Sequence, residues 1–183
     1  LENSQYVKYV LGAKDATLTA PQGSTVTTTV DKCVVKWEDV DEDGVGVYSV
    51  KDAIAAIGNE YFASIQDAID AAENDDEIVV LQDVTLTDAD IIKVKAGDVN
   101  VMIDVEDKDI ILNLNEKIID IDYHGASYND LISVVYIADN AGLTIEGNGS
   151  INFIENSRNC AYLFFKRGTK GHLTINNGSF RMY

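Results

Sequence analysis

The chain has 183 residues, 46% of them hydrophobic and 25% charged, which suits one folded domain or one and a fragment and excludes wholesale disorder. Fourteen Lys and Arg face 31 Asp and Glu, a net charge of −17. That balance argues against binding of a nucleic-acid backbone, which needs clustered cations, and against an anionic membrane surface. No apolar run reaches the ~18 residues that a membrane-spanning helix needs.

The acids concentrate in one part of the chain. Residues 1–130 hold 28 acids and 9 bases, whereas residues 131–183 hold 3 and 5. A solvated acidic face that keeps the protein soluble is the plain reading, and a calcium-loaded surface is the sharper one. Two cysteines far apart, Cys33 and Cys160, make neither a disulfide framework nor a thiolate metal site, and both read as small buried hydrophobes.

In chain order, residues 1–55 read as a small β segment. Tyr6–Leu11, Ala16–Thr19 and Ser24–Val30 are apolar or Thr-rich stretches, and Pro21-Gln-Gly23 marks a turn. Val34–Trp37 and Val45–Val50 flank an acidic run and Gly44, which is a hairpin signal. A helix is expected over 64–73. Ser64 is a good N-cap with Asp67 three residues on, and Ile65, Ala68, Ile69 and Ala72 form an apolar stripe. Asn74-Asp75-Asp76 ends it.

From Glu77 onward the chain repeats. Leu81, Leu112, Leu143 and Leu173 anchor similar segments at steps of 31, 31 and 30 residues, and Asn148-Gly-Ser150 recurs as Asn177-Gly-Ser179. Alternation such as Leu112-Asn-Leu114 turns aliphatics inward and polar residues outward. Short strands at such a step suggest coils that bury their apolar faces by stacking. A β-sandwich of hairpins is the alternative with the same pattern.

Ala56-Ile-Gly-Asn-Glu-Tyr-Phe-Ala-Ser-Ile-Gln-Asp-Ala-Ile-Asp-Ala-Ala72, continuing into Glu77-Ile-Val-Val-Leu-Gln-Asp-Val-Thr-Leu86, resembles repeat modules of large bacterial cell-surface proteins of the right-handed parallel β-helix, pectate-lyase-like type. Asp109–Asn115, Leu143–Gly149 and Leu173–Phe180 resemble their coil signatures, and Ala16–Val50 resembles the small β segment between modules. The resemblance implies an all-β fold: a right-handed parallel β-helix solenoid over residues 56–183 with one N-terminal capping helix, preceded by the small β subdomain. It also implies an uncapped C-terminal coil, hence a fragment or an end covered by a partner.

Chemistry is sparse. Asp39-Val-Asp-Glu-Asp-Gly44 places acids at positions 1, 3 and 5 and Gly at 6, as in the first half of an EF-hand-type loop. Asp39, Asp41 and Asp43 are therefore the candidate metal ligands. Position 12 is Val50 rather than a closing Glu, so only weak calcium binding is expected. Asp104, Glu106, Asp120 and Asp122 are candidate outward carboxylates for polysaccharide cleavage, but no lyase motif accompanies them, and Arg158, Arg167 and Arg181 lie in later coils. His124 and His172 read as loop histidines. Tyr123, Tyr128, Tyr136 and Tyr162 are candidates to line a glycan groove, whereas Phe153, Phe164, Phe165, Phe180 and Trp37 read as packing residues.

No catalytic residue and no cofactor beyond weak calcium is assigned. The sequence points to a non-enzymatic structural or adhesive module, extracellular or on a cell surface. The alternatives are a phage virion fibre or capsid decoration protein, and a carbohydrate-binding or carbohydrate-cleaving β-helix. Expected partners are a glycan or protein surface ligand, or a second copy meeting the uncapped coil, with no nucleic acid and no membrane insertion.

Overall fold

A computed structural model describes residues 8–39, 44–94, 99–124, 131–155, 161–166 and 168–182. It is mostly β, with one α-helix, and parallel sheets dominate. Two compact units divide it: residues 1–53 with 61–63, and residues 54–60 with 64–183. The short strand β7 (Glu60–Phe62) lies where the division falls.

The first unit contains β1 (Lys8–Leu11), β2 (Thr17–Pro21), β3 (Thr25–Thr28), β4 (Cys33–Asp39) and β5 (Val45–Asp52). The turn expected at Pro21 forms: Ser24 N donates to Pro21 O, and Gly23 takes the positive φ of 81° that a side chain resists. The β4–β5 hairpin forms across the acidic run, pairing Val35 with Val50 and Trp37 with Tyr48. β2 joins the other edge of β5 antiparallel. β5 is the central strand, paired along both edges, and its Tyr48, Ser49 and Val50 are all buried. Gly46 is required by packing: a Cβ there would sit 2.7 Å from the Trp37 ring. The pairing of β1 with β3 is parallel, which local turn signals do not announce.

The second unit begins with β6 (Ala55–Ile57) and helix α1 (Ile65–Ala71). Ser64 Oγ accepts from Asp67 N at 3.0 Å, so the expected N-cap forms, and Ile65, Ala68, Ile69 and Ala72 are buried as the stripe required. Then come β8 (Glu77–Val80), β9 (Val84–Thr87), β10 (Ile92–Val94), β11 (Val99–Val105), β12 (Asp109–Asn113), β13 (Ile118–Tyr123), β14 (Leu131–Ile137), β15 (Gly142–Glu146), β16 (Ser150–Glu155), β17 (Ala161–Lys166), β18 (His172–Ile175) and β19 (Ser179–Met182).

These strands build three sheets, and the chain visits them in a fixed order. One sheet runs β6-β8-β12-β15-β18, the next β9-β13-β16-β19, the third β10-β11-β14-β17. Every neighbour is parallel except β6 on β8 and β10 on β11. Parallel neighbours need long crossovers, and here the crossover is the passage through the other two sheets. Aliphatics fill the inner faces: Ile78, Leu112 and Ile145 are fully buried register partners, as are Ile121 and Phe153.

The register corrects the sequence alignment. Leu143 does pair with Leu173, but Leu112 pairs with Ile145 and Ile78, Ile110 pairs with Leu143, and Leu81 lies just beyond β8. Leu112, Leu143 and Leu173 thus share a sheet without forming one ladder, and Leu81 lies outside it. Ile110 and Leu112 both point inward, so a shift of two residues leaves the apolar pattern unchanged. The offset also contracts along the chain, from 34 residues (Ile78 to Leu112) to 33 (Leu112 to Ile145) and 30 (Ile145 to Ile175).

Short polar side chains carry the pairing around the corners. Asn74 Oδ1 accepts from Asp109 N, Asp83 Oδ1 from Ile118 N, Asp88 Oδ1 from His124 N and Asp139 Oδ1 from Lys170 N, at 2.8–3.0 Å. Asn115 Nδ2 donates to Val80 O at 2.9 Å. Each joins one passage to the next, where the backbone bends away from ladder geometry and would leave a polar group unpaired.

Candidate functional site

Alternation places polar residues on the outer faces, and the parallel register lines them up. On the second sheet Thr85, Asp120, Asn152 and Arg181 form one row. Asn152 Nδ2 donates to Asp120 Oδ1 at 2.9 Å and to Ser150 Oγ at 3.3 Å. On the third sheet Tyr136 stacks on Phe165, and Tyr162 meets Phe165 edge-on, each pair with ring centroids 6.0 Å apart. Phe164 meets Phe180 edge-on at 5.3 Å.

A polar concavity lies between α1 and β11. A cavity of about 370 Å³ is lined by Ile69, Asp70, Asp104, Glu106, Asp107 and Lys108. Burial, then the charges of Glu106 and Asp70, push the Asp104 carboxyl from its ordinary 3.8 up to about 6. Lys108 Nζ donates to the carbonyls of Ile69, Asp70 and Ala72, closing the C-terminal end of the helix with a cation. A second cleft, of about 280 Å³, is lined by Ile65, Leu86, Ile92 and Met102 among others. Its polar lining is already engaged: Ser64 caps α1 and Asp90 accepts from Thr87 N.

The sequence-derived candidates scatter. Asp41, Asp43 and the Asp39 side chain lie outside the described residues, as do Cys160, Tyr128, Arg158 and Arg167. Among the described residues no group of three or more His, Cys, Asp or Glu is arranged to hold a metal ion. Asp104 lies on β11 of the third sheet, whereas Asp120 and Asp122 lie on β13 of the second, so the four carboxylates do not form one set. The tyrosine groove needs correction: Tyr123 and Tyr136 are buried, 1% and 2% exposed, because strand alternation and ring stacking turn them into packing residues. Tyr162 alone of the described three stays at the surface, 46% exposed. Phe153 is fully buried, as expected of a packing residue.

Both histidines are exposed. His124 Nε2 is 3.1 Å from Asp122 Oδ1, and the His172 ring lies over Gly142. Cys33 is buried, and that burial, followed by its hydrogen bond to Asp52, raises the thiol pKa, which makes it a poor nucleophile. Lys14 and Asp52 form a surface pair at 2.5 Å that raises the lysine pKa and lowers the carboxylate pKa through their hydrogen bond first. Gln66 and Lys108 went unnoticed in the sequence. Their partners across the contact between α1 and the segment 104–108 lie 36–39 residues away, and the local i,i+4 pair of Gln66 with Asp70 does not reveal them.

Among the described residues no helix is long and apolar enough to cross a membrane. Comparison of the chain with protein-family models, with curated proteins and with solved structures returned no match.

Proposed function

We propose that residues 56–183 form a right-handed parallel β-helix of stacked coils with its capping helix, and that the chain is a non-enzymatic structural or adhesive module of an extracellular or cell-surface protein. The carrying observation is the fixed order in which the chain passes through three parallel sheets, with aliphatic rows inside and polar rows outside. Backbone pairing between successive coils makes such a stack stiff, and its outer faces repeat at the strand spacing of about 4.8 Å. That is the geometry of a spacer that presents a surface. The separation of the candidate carboxylates onto two sheets, and a thiol held protonated by burial, support a role without covalent chemistry.

The reading is tested by a glycan array together with depolymerisation assays on polyuronates and neutral polysaccharides. The expected result is no turnover on any polymer. Release of reducing ends or unsaturated products by the purified chain would replace this reading with a carbohydrate-cleaving one. Glycan binding without turnover, lost in Tyr162→Ala, would identify the presented surface with the aromatic row on the third sheet.

A further inference from the structure

Helix α1 is fastened to β11 and the segment after it by polar contacts. Gln66 Nε2 donates to Asp104 O at 3.1 Å, and Asp104 N donates back to Gln66 Oε1 at 2.9 Å. The side-chain amide thus pairs with the outer edge of β11 as a one-residue strand, beyond Val101, where the β10 partner ends. The same Nε2 donates to Asp70 Oδ1 at 2.8 Å. Three residues after β11, Lys108 holds the last carbonyls of the helix. Both fasteners require the segment 104–108 to lie against α1.

That segment carries an electrostatic conflict. Asp104 Oδ1 is shut away from solvent and has no hydrogen-bond partner. The nearby donors are committed: the Gln66 amide to Asp104 O and Asp70, and the three Lys108 N–H bonds to three carbonyls. The charges around Asp104 come from Asp70 on α1 and from Glu106, Asp107 and Lys108 after β11. β14 sets Tyr136 beside it in register. An ionised Asp104 therefore faces two carboxylates with a buried, unpaired oxygen, a state that costs free energy.

We propose that α1 is a proton-gated cap: a proton on Asp104 fastens the helix to β11, and loss of that proton loosens it. Protonation turns the orphan acceptor into an O–H donor for the carboxylate of Asp70 or Glu106, and removes one of three clustered negative charges. No other reactant is needed. The carboxyl pKa of about 6 lies above its ordinary 3.8, so the folded protein keeps a proton that the unfolded chain has released. The contribution to stability is therefore fully present below about pH 4 and is lost as pH rises through about 6.

Hydrogen exchange of the whole chain at pH 5.0 and 7.5, corrected for intrinsic rates, reads the gate directly. Exchange of the α1 amides, Ala68 and Ala72 among them, is expected to quicken about tenfold at the higher pH, a figure discounted for the half-exposed site. Amides of β5 in the other unit serve as the control and should not follow. Asp104→Asn should hold the slow, pH 5.0 rate at both pH values. Equal rates in the wild type, or an unchanged pH dependence in Asp104→Asn, would overturn the proposal. Should that variant not fold, carboxyl ¹³C titration of the wild type decides: an Asp104 midpoint near 6 upholds the gate, and one near 4 removes it.

Discussion

At the scale of single residues, the informative positions are those where register, not composition, sets the environment. Leu143 is fully buried between Ile110 and Leu173, its partners in neighbouring strands. Leu143→Ala should cost about 2–5 kcal/mol in a urea titration. Ile175 occupies an equivalent row but is 46% exposed, because β18 is the outermost described strand of its sheet. Ile175→Ala should cost less than about half as much, since part of its surface is already in water. A larger loss at Ile175 than at Leu143 would refute the observed register. Gly147 shows the same principle in the backbone. Its φ is 81°, and a Cβ would lie 2.6 Å from Asn113 Oδ1 and 2.7 Å from Asn115 N. Gly147→Ala combines a left-handed φ with a clash against backbone, and should lower stability by about 1–3 kcal/mol. Nothing in the residue itself separates Gly147 from the other glycines of the chain.

Helix α1 was the most legible element, because cap, stripe and breaker are all local. Ser64→Ala should cost about 1 kcal/mol, as loss of an N-cap does. The measurement is thermal unfolding, with Ser64→Asp as the variant expected to restore stability. The short edge strands were less legible. β10 lies antiparallel on β11 and β6 antiparallel on β8, although nothing in Ile92–Val94 or Ala55–Ile57 encodes a direction. Each covers an edge that the first parallel strand of its sheet would otherwise expose. The corner contacts were equally hidden. Asp83, Asp88 and Asp139 read as three more solvated acids in an acidic chain, and only their partners about 31–36 residues on distinguish them.

For the molecule as a whole, two opposing sets of carboxylates shape the response to pH. Asp104 favours acid. Asp139 acts oppositely: the backbone N–H of Lys170, first among its causes, holds its carboxyl below the ordinary range, so its contribution is present above about pH 4 and is lost on further acidification. The pH profile of the melting temperature should therefore peak near pH 4 and fall towards about pH 6. Asp104→Asn should flatten its alkaline flank and leave its acid flank unchanged. The net charge of −17 adds a salt dependence, since screening relieves self-repulsion. Should Asp39, Asp41 and Asp43 bind calcium, millimolar calcium will raise the melting temperature beyond NaCl of matched ionic strength, and Asp41→Asn will abolish the excess. Equal shifts with both salts would leave the acidic run a solubilising feature only.

The sequence by itself determined what depends on near neighbours and on periodicity. It marked the all-β class, the single capped helix, the turn at Pro21, the β4–β5 hairpin and the recurrence of short strands, because each rests on spacing within a few residues or on repetition of a pattern. Tertiary structure alone decided register, since an inward period of two is blind to a shift of two, as the pairing of Leu112 with Ile145 rather than Leu143 shows. It alone turned Tyr123 and Tyr136 inward and left Tyr162 at the surface. It also brought Gln66, Asp70, Asp104 and Lys108 together from two segments more than thirty residues apart. A carboxylate's proton affinity depends on the solvent and charge within a few ångströms of it, and those neighbours exist only once the chain has folded.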